Sequence, residues 1–350
     1  MKKKILLVAL FSLQLMNSQT LDPSFGTNGG IVTNTLTNIP SSDFCGDAVL
    51  QTDGKIVFVG RNPNENYSFI ARTNPSGSLD TSFNNFGFIT FSGTGFDSLL
   101  VQPDGKIVVV GQSIVYRFNS NGTLDTSFNS TGSVIIGINS YPFYGKSILL
   151  QNDGKIVVVG TVNNSSNNDF AVIRLNTDGS FDTTFDFDGK TTIGIGTGND
   201  EAFSSAIQSD GKIVIVGQTN NGTNYDFGTI RLNSNGSIDT SFAINGIAIL
   251  AFTLQDYGRS VDIQTDGKIL VAGVANGKLA VARYFPNGML DTTFDNDGIL
   301  NTTTSFSNST AIISTTINKP KIKFISATGK ILISGQSGGN FCFLSQKGSM

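Results

Sequence analysis

Hydrophobic residues come along this chain in short blocks, each closed by glycine, asparagine or aspartate, and the blocks come in pairs. In SLLVQPDGKIVVVG, Ser98 to Gly111, an apolar segment meets an Asp-Gly turn and a second apolar segment, which predicts a strand, a tight turn and an antiparallel strand. Asp-Gly serves there because glycine tolerates positive φ and aspartate can bond its own backbone. A variable loop follows, then a third strand such as FAVIRLN at Phe170, a second turn NTDGS, an LDTSF element and a stretch that offers a fourth strand. The pattern predicts a four-stranded antiparallel meander. Ile156 to Val159 does not alternate apolar with polar, so both faces of that strand need cover.

The meander is written repeatedly. The DGK turn recurs at Asp53, Asp104, Asp153, Asp210 and Asp266, with a worn copy at Thr328, at spacings of 51, 49, 57, 56 and 62. A second marker, LDPSF, LDTSF, FDTTF, IDTSF or LDTTF, interleaves with the first at Leu21, Leu79, Leu124, Phe181, Ile238 and Leu290. Such periods belong to solenoids, propellers and arrays. Sheets stacked face to face around an axis cover both faces of every strand, so the expected fold is all-β: a six-bladed β-propeller of four-stranded antiparallel blades. A parallel β-helix is the alternative, but its coils lack Asp-Gly hairpins at this density. The final FCFLSQKGSM matches a third strand and turn, and the LDPSFGTNGG near the start is the element that should follow. The N-terminal arm is therefore expected to complete the sixth blade and close the ring, leaving no open inner edge.

Composition adds location. MKKKILLVALFSLQLMNSQT reads as a secretory signal peptide over residues 1–19, leaving 20–350 as a single propeller domain of six repeats of about 55 residues. The expected destination is outside the cytoplasm: secreted, cell surface or periplasmic. Lysine and arginine number 23 against 26 acids, with no basic block, which argues against nucleic acid as a partner. No later segment reads as a membrane span, and a monomer is expected. Two cysteines, Cys45 and Cys342, are able to pair in an oxidising compartment but make no disulfide framework.

The markers QxDGKIVVVG and GSLDTSF, at this period and behind a signal peptide, resemble the delta-60 repeat family of secreted bacterial proteins, particularly those of Bacteroidetes. The order of strands and turns is also similar to NHL-type six-bladed propellers. The resemblance implies a fold and an extracytoplasmic setting, and no reaction.

Five units place an arginine five residues before the second turn glycine (Arg72, Arg117, Arg174, Arg231, Arg283) and an aspartate three after it (Asp80, Asp125, Asp182, Asp239, Asp291). A structural pair facing across a hairpin is expected. Gln51, Gln102, Gln151, Gln208 and Gln264 are expected to bond the turn backbone. Phe25, Phe83, Phe128, Phe185, Phe242 and Phe294 read as plugs between blades.

The chain has no histidine, which removes Ser-His and Cys-His dyads and His-ligated metals. D-x-D-G at Asp186 and Asp295 lacks the acidic twelfth position of an EF-hand loop. Variation gathers in the second-to-third loops and the blade-to-blade connections, at one end of the meander, and binding is usually carried by such loops. They bring aromatics (Phe96, Tyr141, Phe143, Tyr144, Tyr257) and acids (Asp47, Asp97, Asp200, Glu201, Asp256) toward the channel mouth. Two readings follow. In the first, a non-catalytic propeller binds protein or glycan through the aromatics and needs no cofactor. In the second, the acids hold calcium for a hydrolase or lyase. Composition favours the first, because Lys146 stands where the third unit should supply an acid.

Overall fold

The computed structural model describes residues 44–305 apart from 63–65, 94 and 253, together with 321–325 and 330–334. All the regular structure described is β-strand. The first sheet comprises β1 (Phe44–Leu50), β2 (Ile56–Asn62), β3 (Tyr67–Thr73) and β4 (Phe88–Ser92). The second comprises β5 (Phe96–Val101), β6 (Ile107–Gly111), β7 (Ile114–Phe118) and β8 (Ser133–Ile135). The third holds β9 (Gly137–Ile138), β10 (Tyr141–Leu150), β11 (Ile156–Asn163), β12 (Asn168–Leu175) and β13 (Lys190–Ile193). The fourth holds β14 (Asp200–Ile207), β15 (Ile213–Asn220), β16 (Tyr225–Leu232) and β17 (Ile247–Leu250). The fifth holds β18 (Asp256–Ile263), β19 (Ile269–Ala275), β20 (Lys278–Tyr284) and β21 (Ile299–Ser305). A hairpin of β22 (Lys321–Ile325) and β23 (Lys330–Ser334) follows. Every sheet is an antiparallel meander in chain order.

The third sheet departs from the four-stranded expectation by one strand. The connection read as the loop GINSYPFYGK folds into its own hairpin, β9 against the start of β10. Asn139 and Ser140 sit at its tip with φ of 51° and 69°, the two positive values that a tight primed turn requires.

The apolar run of the repeat is buried on both faces. Val157 and Val159 pack toward the fourth sheet with Ile213 and Ile215, while Ile156 and Val158 pack toward the second with Val108 and Val110. The first strands of the sheets (β1, β5, β10, β14, β18) lie each beside the next, and β22 lies beside β1. Two further apolar clusters are buried: Ala48, Phe58, Phe69 and Ala71 on the first sheet, where β22 lies beside β1, and Leu270, Ala272 and Val281 on the fifth.

A second device joins the sheets. In each of the five units the LDTSF aspartate accepts at Oδ2 from the arginine Nε, at 2.6 to 2.7 Å, and from the lysine of the DGK turn, at 2.9 to 3.1 Å. Its Oδ1 accepts from the Ser or Thr hydroxyl two residues on. The guanidinium lies 4.6 to 4.8 Å from the following phenylalanine ring. In four units the Nη1 then crosses to the next, donating to the carbonyl of Ser120, Thr177, Ser234 or Pro286. Beside it the phenylalanine presses on the next unit's turn glycine. At Gly179, whose φ is 89°, a Cβ would stand 2.9 Å from the Phe128 ring. The expected Arg–Asp pair is thus present and also acts between sheets, and Phe83, Phe128, Phe185 and Phe242 are wholly buried plugs.

One expectation is corrected. The turn bonds of the glutamines are made by their backbone, as in Gln208 N–H to Lys212 O and Gly211 N–H to Gln208 O, while the Gln208 side chain accepts from Arg231 at 3.3 Å. Gln151 accepts from Arg174 in the same way, at 3.5 Å, whereas Oε1 of Gln51, Gln102 and Gln264 is buried without a hydrogen-bond partner. The leader, the N-terminal arm with Phe25, and Cys342 lie outside the described residues. Among the described residues no helix is long and apolar enough to cross a membrane.

Burial raises the Asp182 pKa, but hydrogen bonds from Lys155 and Thr184 and the charge of Arg174 outweigh it and hold the carboxyl well below the usual range. The stabilisation is therefore present above the ordinary carboxylate pKa of about 4 and is lost as the pH falls below it. Asp182→Ala leaves Arg174 buried without its carboxylate and is expected to cost about 3 kcal/mol in urea unfolding. Asp153→Ala, at the exposed turn of the same unit, is expected to cost less than about 1 kcal/mol. Equal losses from the two would remove the node from its central role.

Candidate functional site

The site begins with a glycine. Each first strand carries a one-residue bulge opposite the last glycine of the GKIVVVG motif, where register shifts past Gly46, Asp97, Lys146, Phe203 and Arg259. In three units the reason is visible: a Cβ on Gly160, Gly217 or Gly273 would overlap the carbonyl oxygen of Tyr144, Glu201 or Tyr257. Glycine leaves room for the bulge, and the bulge turns an extra side chain out of the ladder.

These extra side chains meet across neighbouring sheets along the inner rim. Lys146 Nζ lies 3.0 Å from Asp97 Oδ2, and Arg61 lies 4.0 Å from Asp97 Oδ1. Farther round, the Arg259 guanidinium lies 4.0 Å from the centroid of Phe203 and 5.0 Å from that of Tyr257. Tyr257 in turn lies 6.2 Å from Tyr225. Burial lowers the Arg259 pKa from the ordinary arginine value, against the opposing influence of Glu201 and then Tyr257. Sequence reasoning missed Phe203, Arg259 and Tyr225. The first two stand seven residues before the turn aspartates Asp210 and Asp266, the position that Asp97 and Lys146 hold in their own units.

The predicted aromatics divide. Tyr141, Tyr144 and Tyr257 keep partial or full exposure at the variable end, and Tyr141 Oη accepts from Ser165 Oγ at 2.6 Å. Phe96 and Phe143 do not face a ligand: both are wholly buried between sheets, Phe96 edge-on to Phe91 and Tyr116. Their hydrophobic faces are taken by the core because β5 and β10 extend through them, where loops were expected.

The predicted acids do not converge. Asp47 accepts from Ala48 N–H, Ser98 Oγ and Leu99 N–H, tying β1 to β5. Asp97 is paired with Lys146. Asp200 is fully buried and accepts from the backbone of Ile195, Gly196 and Asn220. Glu201 accepts from Asn168 and Gln218, each at 3.2 Å. Asp256, also fully buried, accepts from the backbone of Phe252 and Asn276. Among the described residues no three such side chains are placed to hold a metal ion. Calcium takes six to eight oxygens around one point, and the described acids are not gathered around one. Sequence spacing brought these acids to one end of the molecule, but each is held by the nearest free N–H or cation.

Stacked four-stranded meanders joined at a repeated polar node define a β-propeller repeat protein. In agreement, five stretches, 51–83, 102–128, 151–185, 208–242 and 264–294, match the family described as "Domain of unknown function (DUF5122) beta-propeller". No curated protein matches the sequence. Similar solved structures include a protein from Lactobacillus plantarum, 12% identical, covering 86% of this chain and 84% of that one with a TM-score of 0.49. A calcium-binding protein, regucalcin, from Agrobacterium tumefaciens is 11% identical over 85% and 83% of the two chains, TM-score 0.41. A polysaccharide lyase is 10% identical over 89% and 82%, TM-score 0.44. At these levels no activity carries across.

Gly217→Ala is expected to force the Glu201 carbonyl aside, lowering stability by about 1 to 3 kcal/mol in urea unfolding. An unchanged midpoint would show that the bulge does not need the glycine. Asp256 supplies a pH test. Burial first, and the charge of Asp226 next, raise its pKa to about 6 despite hydrogen bonds from Asn276 and Phe252. Its contribution is largest below the unfolded value of about 4 and falls as the pH rises through about 6. The melting-temperature advantage of the native protein over Asp256→Asn should therefore shrink from pH 4 to pH 6.5. A constant or growing gap would contradict the raised pKa.

Proposed function

We propose that this protein is a non-catalytic binding scaffold of the delta-60 type: a six-bladed, NHL-like propeller outside the cytoplasm that presents its variable-loop end to a glycan or a protein. One observation carries the reading. The turn end of each of the five described units is spent on the same Asp–Arg–Lys node, while the variable end differs from unit to unit and keeps Tyr141, Tyr144, Tyr257, Phe203 and Arg259 partly or fully exposed. Aromatic faces beside amides and a cation suit saccharides and peptide segments.

Three observations support six blades. The buried apolar faces of the first and fifth sheets each need a neighbour, β22 lies beside β1, and β22–β23 is the hairpin that a sixth blade would open with. In this reading the N-terminal arm supplies the outer strand of that blade after removal of residues 1–19, and the ring is monomeric.

The test is a glycan array and a panel of purified surface proteins, probed with the full chain and with Tyr257→Ala. Binding that Tyr257→Ala weakens, with no product released from the ligand, is the expected result. Product release, or a melting temperature several degrees higher in millimolar calcium than in EDTA, would overturn the reading in favour of a calcium-dependent hydrolase or lyase.

A further inference from the structure

The chain has seven arginines. Arg72, Arg117, Arg174, Arg231 and Arg283 each pair with the aspartate of their own node, and Arg61 lies 4.0 Å from Asp97. Arg259 has no carboxylate partner among the described residues. Its guanidinium is held in place by the Phe203 and Tyr257 rings, which fix its plane without satisfying its N–H groups. The nearby Glu201 carboxylate has both oxygens engaged by Asn168 and Gln218. Glu201 acts on this cation through space only, and among the described residues no carboxylate closes on it as a direct ion pair.

We propose that Arg259 is the anchor of a subsite for the carboxylate of an acidic saccharide, a uronate, at the inner rim between the fourth and fifth sheets. The proposal rests on the reading of the variable end as a binding face and names its ligand class. A carboxylate matches the flat guanidinium edge with two parallel N–H···O bonds. A single negative charge also suits the place, because Glu201 would repel a doubly charged phosphate. Tyr257 and Tyr225, 6.2 Å apart, offer aromatic surface to the C–H face of a sugar ring.

Calorimetric titration of the full chain with short oligomers of galacturonate and glucuronate, and with the corresponding neutral oligomers, tests this. The acidic oligomers are expected to bind, more weakly at higher salt, and the neutral ones to bind at least about tenfold less well. Arg259→Gln and Arg259→Lys should each weaken acidic-oligomer binding about tenfold or more and leave neutral-oligomer binding unchanged. Should either variant melt early, methyl esterification of the uronate asks the same question from the ligand side and is expected to abolish the preference.

Equal binding of esterified and free uronate, or full retention of binding in both arginine variants, would overturn the proposal. Arg259-dependent binding of an acidic peptide without uronate binding would overturn the saccharide assignment. Failure of every acidic oligomer while neutral glycans or surface proteins still bind would overturn this subsite alone. Silence across all ligands would overturn the wider binding reading as well.

Discussion

The structure depends on a buried carboxylate that answers to two hairpins at once. The LDTSF aspartate takes the lysine of the first turn and the arginine of the third strand on a single oxygen, and the arginine passes across to the next sheet. Face-to-face sheets held by valine and isoleucine alone could slide, since apolar contact has no direction. The guanidinium fork does have direction, and the ring beneath it fixes its plane. Loss of the carboxylate would leave the buried guanidinium without its charge partner, while the half-buried lysine keeps the turn aspartate. The node therefore sets the angle between neighbouring units as well as their adhesion, and it consumes most of the charged residues of the turn end.

That consumption divides the molecule. At the turn end each of the five described units repeats the same solution. At the other end the bulge opposite the motif glycine adds one residue in each of the five described units: Gly46, where a Cβ would stand 2.6 Å from the Phe96 carbonyl oxygen, and then Asp97, Lys146, Phe203 and Arg259, four different side chains. A repeated backbone with varied side chains is how a rigid scaffold acquires a specific surface. In the second and third units the choice produces an internal ion pair, whereas in the fourth and fifth it produces a cation between aromatic rings. The rim is thus asymmetric although the scaffold beneath it is regular.

The variable end also shows why polar loops are poor guides to metal sites. Asp200 and Asp256 sit at the start of first strands, beside connections that leave backbone N–H groups free. A buried carboxylate that accepts those bonds satisfies the chain, and the same bonds leave it little capacity for a cation. Asp47 does the comparable task between β1 and β5 through Ser98 and Leu99.

The sequence by itself determined the repeated meander, the burial of both faces of GKIVVVG, the Arg–Asp pairing and the phenylalanine plugs, because each follows from spacing within one unit or between adjacent ones. It also contained the bulge, since a glycine closing an apolar strand in every unit marks a place where another backbone comes close. Only the tertiary structure decided which side chains the bulges turn outward and what they meet. Phe96 and Phe143 were drawn into the core because strands continued through them, and the acids were claimed by N–H groups and by Lys146. That Arg259 has Gly267, and no aspartate, eight residues on is written in the sequence. That the Phe203 ring of the fourth sheet meets its guanidinium was decided by the packing of two sheets, which no residue spacing along the chain encodes.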